Sequence, residues 1–186
     1  MFVFEHFTGH LLTLVQKDLP LVVVKQILKN ALTRLAELHD QDIVHTEYKM
    51  DNVCNMVGKQ EGNWMWRSPE AHARGPVNKP SDIFSFALCI ITLHKRIILA
   101  VREEELGEGV DPLAIVIERQ ISYFADEDGL YGALKHPGDN PWVQPFKYWK
   151  GVDDEFKDLV CAMTRFDLGN QITARQAFKH RVTNIS

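Results

Sequence analysis

Apolar positions along this chain fall into helical stripes separated by polar or Gly- and Pro-bearing stretches. Leu21, Val24, Ile27, Leu28, Ala31, Leu35 and Leu38 recur at steps of three and four residues opposite Lys25, Lys29, Arg34 and Glu37. That spacing predicts an amphipathic helix over about residues 20–39, with Asp18 placed to cap it and Pro20 tolerated in its first turn. Lys79-Pro80-Ser81-Asp82 opens a second helix over 81–99, with Ser81 or Asp82 free to cap. Its residues Ile83, Phe84, Phe86, Ala87, Leu88, Ile90 and Ile91 leave almost no polar face, the pattern of a helix buried all round. Asp111-Pro112 start a third over 112–125, with Leu113, Val116, Ile117, Ile121 and Phe124 on one face. Periodicity is then lost until Gly151, and the pattern predicts a long loop with Trp142, Phe146 and Trp149 as packing anchors. A helix over 152–165 turns Phe156, Leu159, Val160 and Met163 inward. Thr173-Ala174-Arg175-Gln176 fits a capping box that starts a last short helix over 173–181. Strand content is expected only near residues 2–7, where aromatic and β-branched residues run into Thr8-Gly9, and near 52–57.

Composition narrows the class without changing this outline. A chain of 186 residues with 45% hydrophobic and 25% charged residues suits one soluble globular domain, with no linker or repeat to divide it. Net charge is −4, so bulk electrostatics favour neither a nucleic acid nor an anionic membrane as partner. The longest apolar run, from Ile83 to Leu93, is far short of the roughly 20 residues that span a bilayer. Cys54, Cys89 and Cys161 are odd in number and widely spaced, which points to a reducing compartment and hence an intracellular setting, cytoplasmic or nuclear. His6 and His10 have a helical metal-ligand spacing, but Gly9 lies between them and no carboxylate or Cys completes a set.

Candidate chemistry concentrates in Ile43-Val44-His45-Thr46-Glu47-Tyr48-Lys49-Met50-Asp51-Asn52, where a base, a cation and a metal-binding oxygen recur within six residues. This stretch resembles the catalytic loop of eukaryotic protein kinases, H-R-D-L-K-P-x-N. Ser68-Pro69-Glu70 resembles the Ala-Pro-Glu that ends the activation segment of that family, and 166–173 resembles the segment before its final helix. The wording of 64–74 and of 126–129 is also similar to a group of fungal kinase-like proteins. Three motifs in the right order, from hinge to last helix, imply a mainly α chain: a single, incomplete domain over 1–186 with the architecture of the kinase large (C-terminal) lobe and a few short strands, the small lobe being absent.

By that resemblance Glu47 stands for the catalytic base, Lys49 for the phosphate-facing cation and Asn52 for the magnesium ligand. Glu5 and Phe7 would present hinge backbone to adenine beside Phe4, although read from the residues alone this stretch is equally an edge strand without a ligand. His45 and Glu70 take structural places, and Asp82 matches the acid that accepts backbone hydrogen bonds from the catalytic loop. The implied cofactors are ATP and magnesium, and the implied partner is a protein, as substrate or as binding partner.

Departures from the pattern argue against catalysis. The chain opens at the hinge, without a Gly-rich loop, strand lysine or helix glutamate, and no Asp-Phe-Gly lies between Asn52 and Pro69. Glu47 replaces Asp, and its extra methylene moves the carboxylate by more than an ångström, enough to cost about a hundredfold in rate. Met50 replaces the usual Pro, and Tyr48 an aliphatic residue. Gln171 stands where the family has the Arg that pairs with Glu70, so Glu70 is expected to be solvated or to take a neutral hydrogen bond from Gln171. The expectation is a kinase-like domain that binds neither ATP nor magnesium and serves as a pseudokinase interaction module or is a truncated gene product; an active Ser/Thr kinase is the competing reading. Phe2, Phe4 and Phe7, without a small-lobe sheet to cover them, are expected to promote association.

Overall fold

The structure is a computed structural model that describes residues 19–46, 65–93, 97–125 and 145–183. Among them it is helical, with no strand; the strand expectations at 2–7 and 52–57, the Asp18 cap and Trp142 lie outside the described residues. Among the described residues six α-helices carry the architecture: α1 (Leu21–Asp40), α2 (Pro69–His72), α3 (Lys79–Leu93), α4 (Pro112–Phe124), α5 (Asp154–Met163) and α6 (Ala174–Phe178). Short 3₁₀ turns follow at Glu103–Glu105, Phe146–Tyr148 and Arg181–Thr183.

Helix α3 is the axis of the fold. Every residue from Ser81 to Thr92 is buried, as its all-round apolar pattern predicts. It begins two residues earlier than its sequence suggests and ends by Leu93, while Ile98 and Leu99 form a turn rather than a continuation. Ser81 and Asp82 therefore sit inside the first turn and do not cap it from outside. Helices α1 and α5 pack against α3, and α6 lies along α1. Phe84 of α3 meets Phe124 of α4 edge to face, with ring centroids 5.6 Å apart.

Full burial on α1 starts at Leu28 and follows Leu32, Leu35, Ala36 and His39; in its first turn Val24 packs partly against the core, whereas Leu21 is half exposed rather than inward. Pro20 occupies the N-cap position instead of the first turn. Helix α5 spans only 154–163, capped by Asp153, and buries the four inward residues its spacing predicts. The loop before it anchors through Phe146 and Trp149, which are buried and 5.0 Å apart between ring centroids, with Tyr123 of α4 against Trp149 at 5.5 Å. The capping box of α6 is present in both directions: Gln176 N–H donates to Thr173 Oγ1 at 3.2 Å, and Thr173 N–H donates to Gln176 Oε1 at 2.7 Å. That helix stops at Phe178, and a 3₁₀ turn at Arg181–Thr183 replaces its expected last residues. The buried side chains form one continuous cluster that runs from Leu28 to Val182. No described helix is long and apolar enough to cross a membrane.

Candidate functional site

The turn that leaves α1 aims a short loop at the start of α3. Ile43 N–H donates to Leu38 O at 3.0 Å and Asp42 N–H to His39 O at 3.2 Å, the two bonds of a Schellman termination. Asp42 takes the left-handed place usually filled by glycine, with φ of 57°. Its carboxyl lies below the ordinary range because Lys79, the first residue of α3, hydrogen-bonds and pairs with it. The chain is thereby turned back across the α3 N-terminus within six residues of the helix end.

There it meets Asp82. The Asp82 carboxylate accepts His45 N–H on Oδ2 at 2.7 Å and Thr46 N–H on Oδ1 at 2.9 Å. His39 Nε2, from the last turn of α1, lies 3.0 Å from the same Oδ2. Because an ionised carboxylate only accepts, Nε2 is the ring nitrogen that carries the proton. Asp82 is 1% exposed, and a buried charge of this kind is tolerated only where donors replace its lost hydration. Two backbone amides and one imidazole supply them. Thr46 has φ of 60°, a conformation that β-branched residues rarely adopt and that costs about 1–2 kcal/mol. The Asp82 bonds hold it there.

A second segment is strapped to the same face. Ser81, the neighbour of Asp82, donates from Oγ to Glu70 Oε1 at 2.6 Å and accepts Asn78 N–H at 3.2 Å. One turn on, Ser85 Oγ donates to Trp66 O at 2.7 Å, and Gln120 of α4 donates from Nε2 to Arg67 O at 2.7 Å. Of the two alternatives expected for Glu70, the bond from Gln171 is absent, while Glu70 stays partly exposed. Gln171 turns away to donate to Met163 O, and Glu70 is half-buried on the Ser81 hydroxyl, which is within reach because α3 starts early. Of these straps only Gln120 left a trace in the sequence: it is seven residues after Leu113 and four after Val116, a polar group on the apolar stripe of α4. It is fully buried.

Of the residues named from the sequence, His45, Glu70 and Asp82 are gathered around the first turn of α3. Glu5, Phe7, Glu47, Lys49 and Asn52 lie outside the described residues. No family model matches the chain, and no curated protein matches it. Among the described residues no group of three or more His, Cys, Asp or Glu side chains is placed to hold a metal. What the described site does chemically is anchor: it fixes the backbone of 45–46, immediately before Glu47, against a buried carboxylate. Cys161, the other perturbed group, has its thiol pushed up by burial and by the nearby Asp158 carboxylate, which disfavours the reactive thiolate.

Proposed function

We propose that this chain is a protein-kinase-like large lobe that works as a non-catalytic, pseudokinase-type interaction module. The observation that carries the reading is the buried Asp82 carboxylate gripping the His45 and Thr46 amides, because it fixes the entry of the stretch that resembles a catalytic loop. Support also comes from the order of that stretch, Ser68-Pro69-Glu70 and the 166–173 segment along the chain. Catalysis is disfavoured by the sequence between Asn52 and Pro69, which holds no Asp-Phe-Gly to bind magnesium. Magnesium prefers octahedral oxygen coordination that includes carboxylates, and Asn52 offers one neutral oxygen. Lys49 would then face phosphates without a neutralising metal, and charge developing on a transferred group would be poorly stabilised. In this reading Lys49 and Asn52 hold neither phosphate nor metal, and the partner is a protein.

The competing reading is an active Ser/Thr kinase that uses ATP and magnesium with Glu47 as base. Calorimetric titration with Mg-ATP separates the two, and the module reading expects no saturable heat. Radiolabelled ATP should leave a generic protein substrate unlabelled. Labelling that disappears in Glu47→Ala would overturn the module reading and establish Glu47 as a working base.

A further inference from the structure

We propose that the first turn of α3 is a two-sided latch that makes the 43–46 loop and the 70–75 segment one cooperative unit, so that a partner engaging either segment shifts the other. Ser81 and Asp82 are adjacent and both buried, yet they grip different segments: Ser81 holds Glu70, and Asp82 holds His45 and Thr46. Lys79, in the same turn, ties Asp42 at the root of the loop. The 70–75 segment closes on the residue that Ser81 holds, since Gly75 N–H donates to Glu70 O at 2.8 Å. That closure has little slack, because a Cβ on Gly75 would stand 3.1 Å from Glu70 O.

Neither grip can slip independently. The two side chains leave one rigid helical turn, so a rotation of that turn that lengthens the Glu70 bond also displaces the Asp82 carboxylate. Asp82 cannot move far without leaving a buried charge short of donors, which is costly. Thr46 sits in a strained conformation, so its amide is released readily once the carboxylate shifts. The 70–75 segment thereby senses the state of the loop through Ser81. The significance of the latch for partner binding rests on the kinase-like reading, whereas the coupling itself rests on this geometry.

Amide hydrogen exchange tests it in the full chain, comparing the unaltered protein, Ser81→Ala, Asp82→Asn and the double variant. The probes are the amides of Thr46, which faces Asp82, and of Gly75, which faces Glu70 O, with the Leu159 amide in α5 as the reference for global unfolding. Relative to Leu159, Ser81→Ala should speed exchange at Gly75 about tenfold, the effect of one lost hydrogen bond, and also speed Thr46 by more than about twofold. Asp82→Asn should do the reverse, and the double variant should match the larger single effect rather than the product of the two. Changes confined to the segment next to each substitution would overturn the latch. Should Asp82→Asn fail to fold, Ser81→Ala read at Thr46 decides the matter alone. No nucleotide enters the experiment, so the latch and the kinase-like reading can fail separately.

Discussion

Thr46 shows how one residue is held against its own preference. A β-branched side chain at φ of 60° crowds its own backbone, and the loop keeps it there because Asp82 needs that amide. Thr46→Gly removes the crowding, worth about 1–2 kcal/mol, at an entropic cost of about 0.5–1 kcal/mol in the unfolded chain. The expected outcome is therefore a small net stabilisation of about 0.5–1 kcal/mol, seen as a higher urea midpoint with unchanged slope. A lower midpoint would mean that the threonine side chain makes a contact outweighing the strain. Glu70 teaches a related lesson at the same scale. Its partner is a hydroxyl eleven positions along the chain, a pairing set by where α3 begins rather than by any local spacing.

At the scale of elements, legibility followed how local the determining interaction was. The capping box of α6 is made within four residues, and Thr173 and Gln176 could be paired from sequence because both halves of the motif are contiguous. Thr173→Ala should cost about 1 kcal/mol, since it leaves the Gln176 amide without its acceptor; thermal unfolding measures this, and Thr173→Ser should recover most of it. The inward faces of α3 and α5 were equally readable, because burial imposes a period that the residues must obey. The start of α3 was not. Ser81 and Asp82 have the chemistry of caps, and only the tertiary approach of the 43–46 loop and Glu70 turns them to other work. The first turn of α1 misled for a different reason: Leu21 belongs to the helical period, but full burial on that helix begins only at Leu28. Gln120 received no reading from the sequence: it is a polar residue that α4 buries fully, and its bond to the Arg67 carbonyl explains why it is tolerated there.

For the whole molecule, the arrangement of the core decides how damage spreads. Phe84 is 1% exposed, lies two residues from Asp82, and contacts Phe124 across the α3–α4 interface. Truncating such a ring to alanine removes its transfer free energy and leaves a cavity that close-packed neighbours fill only in part, which together cost about 3–5 kcal/mol. Against a total stability of about 5–15 kcal/mol for a domain, Phe84→Ala should lower the unfolding midpoint steeply. Because the buried residues from α1 to the final 3₁₀ turn form one continuous cluster, the loss should not be confined to α4. Far-ultraviolet circular dichroism, dominated by helix, should report the shift as a single transition at the same midpoint as tryptophan fluorescence, to which Trp149 contributes from its contact with Tyr123 of α4. Two separated transitions, with the fluorescence change lowered and the main helical transition left where it was, would show that α4 and its aromatic contacts unfold apart from the rest. Coincident transitions at a lowered midpoint would instead mean that the anchor of the 43–46 loop inherits its stability from the same core that buries Phe84.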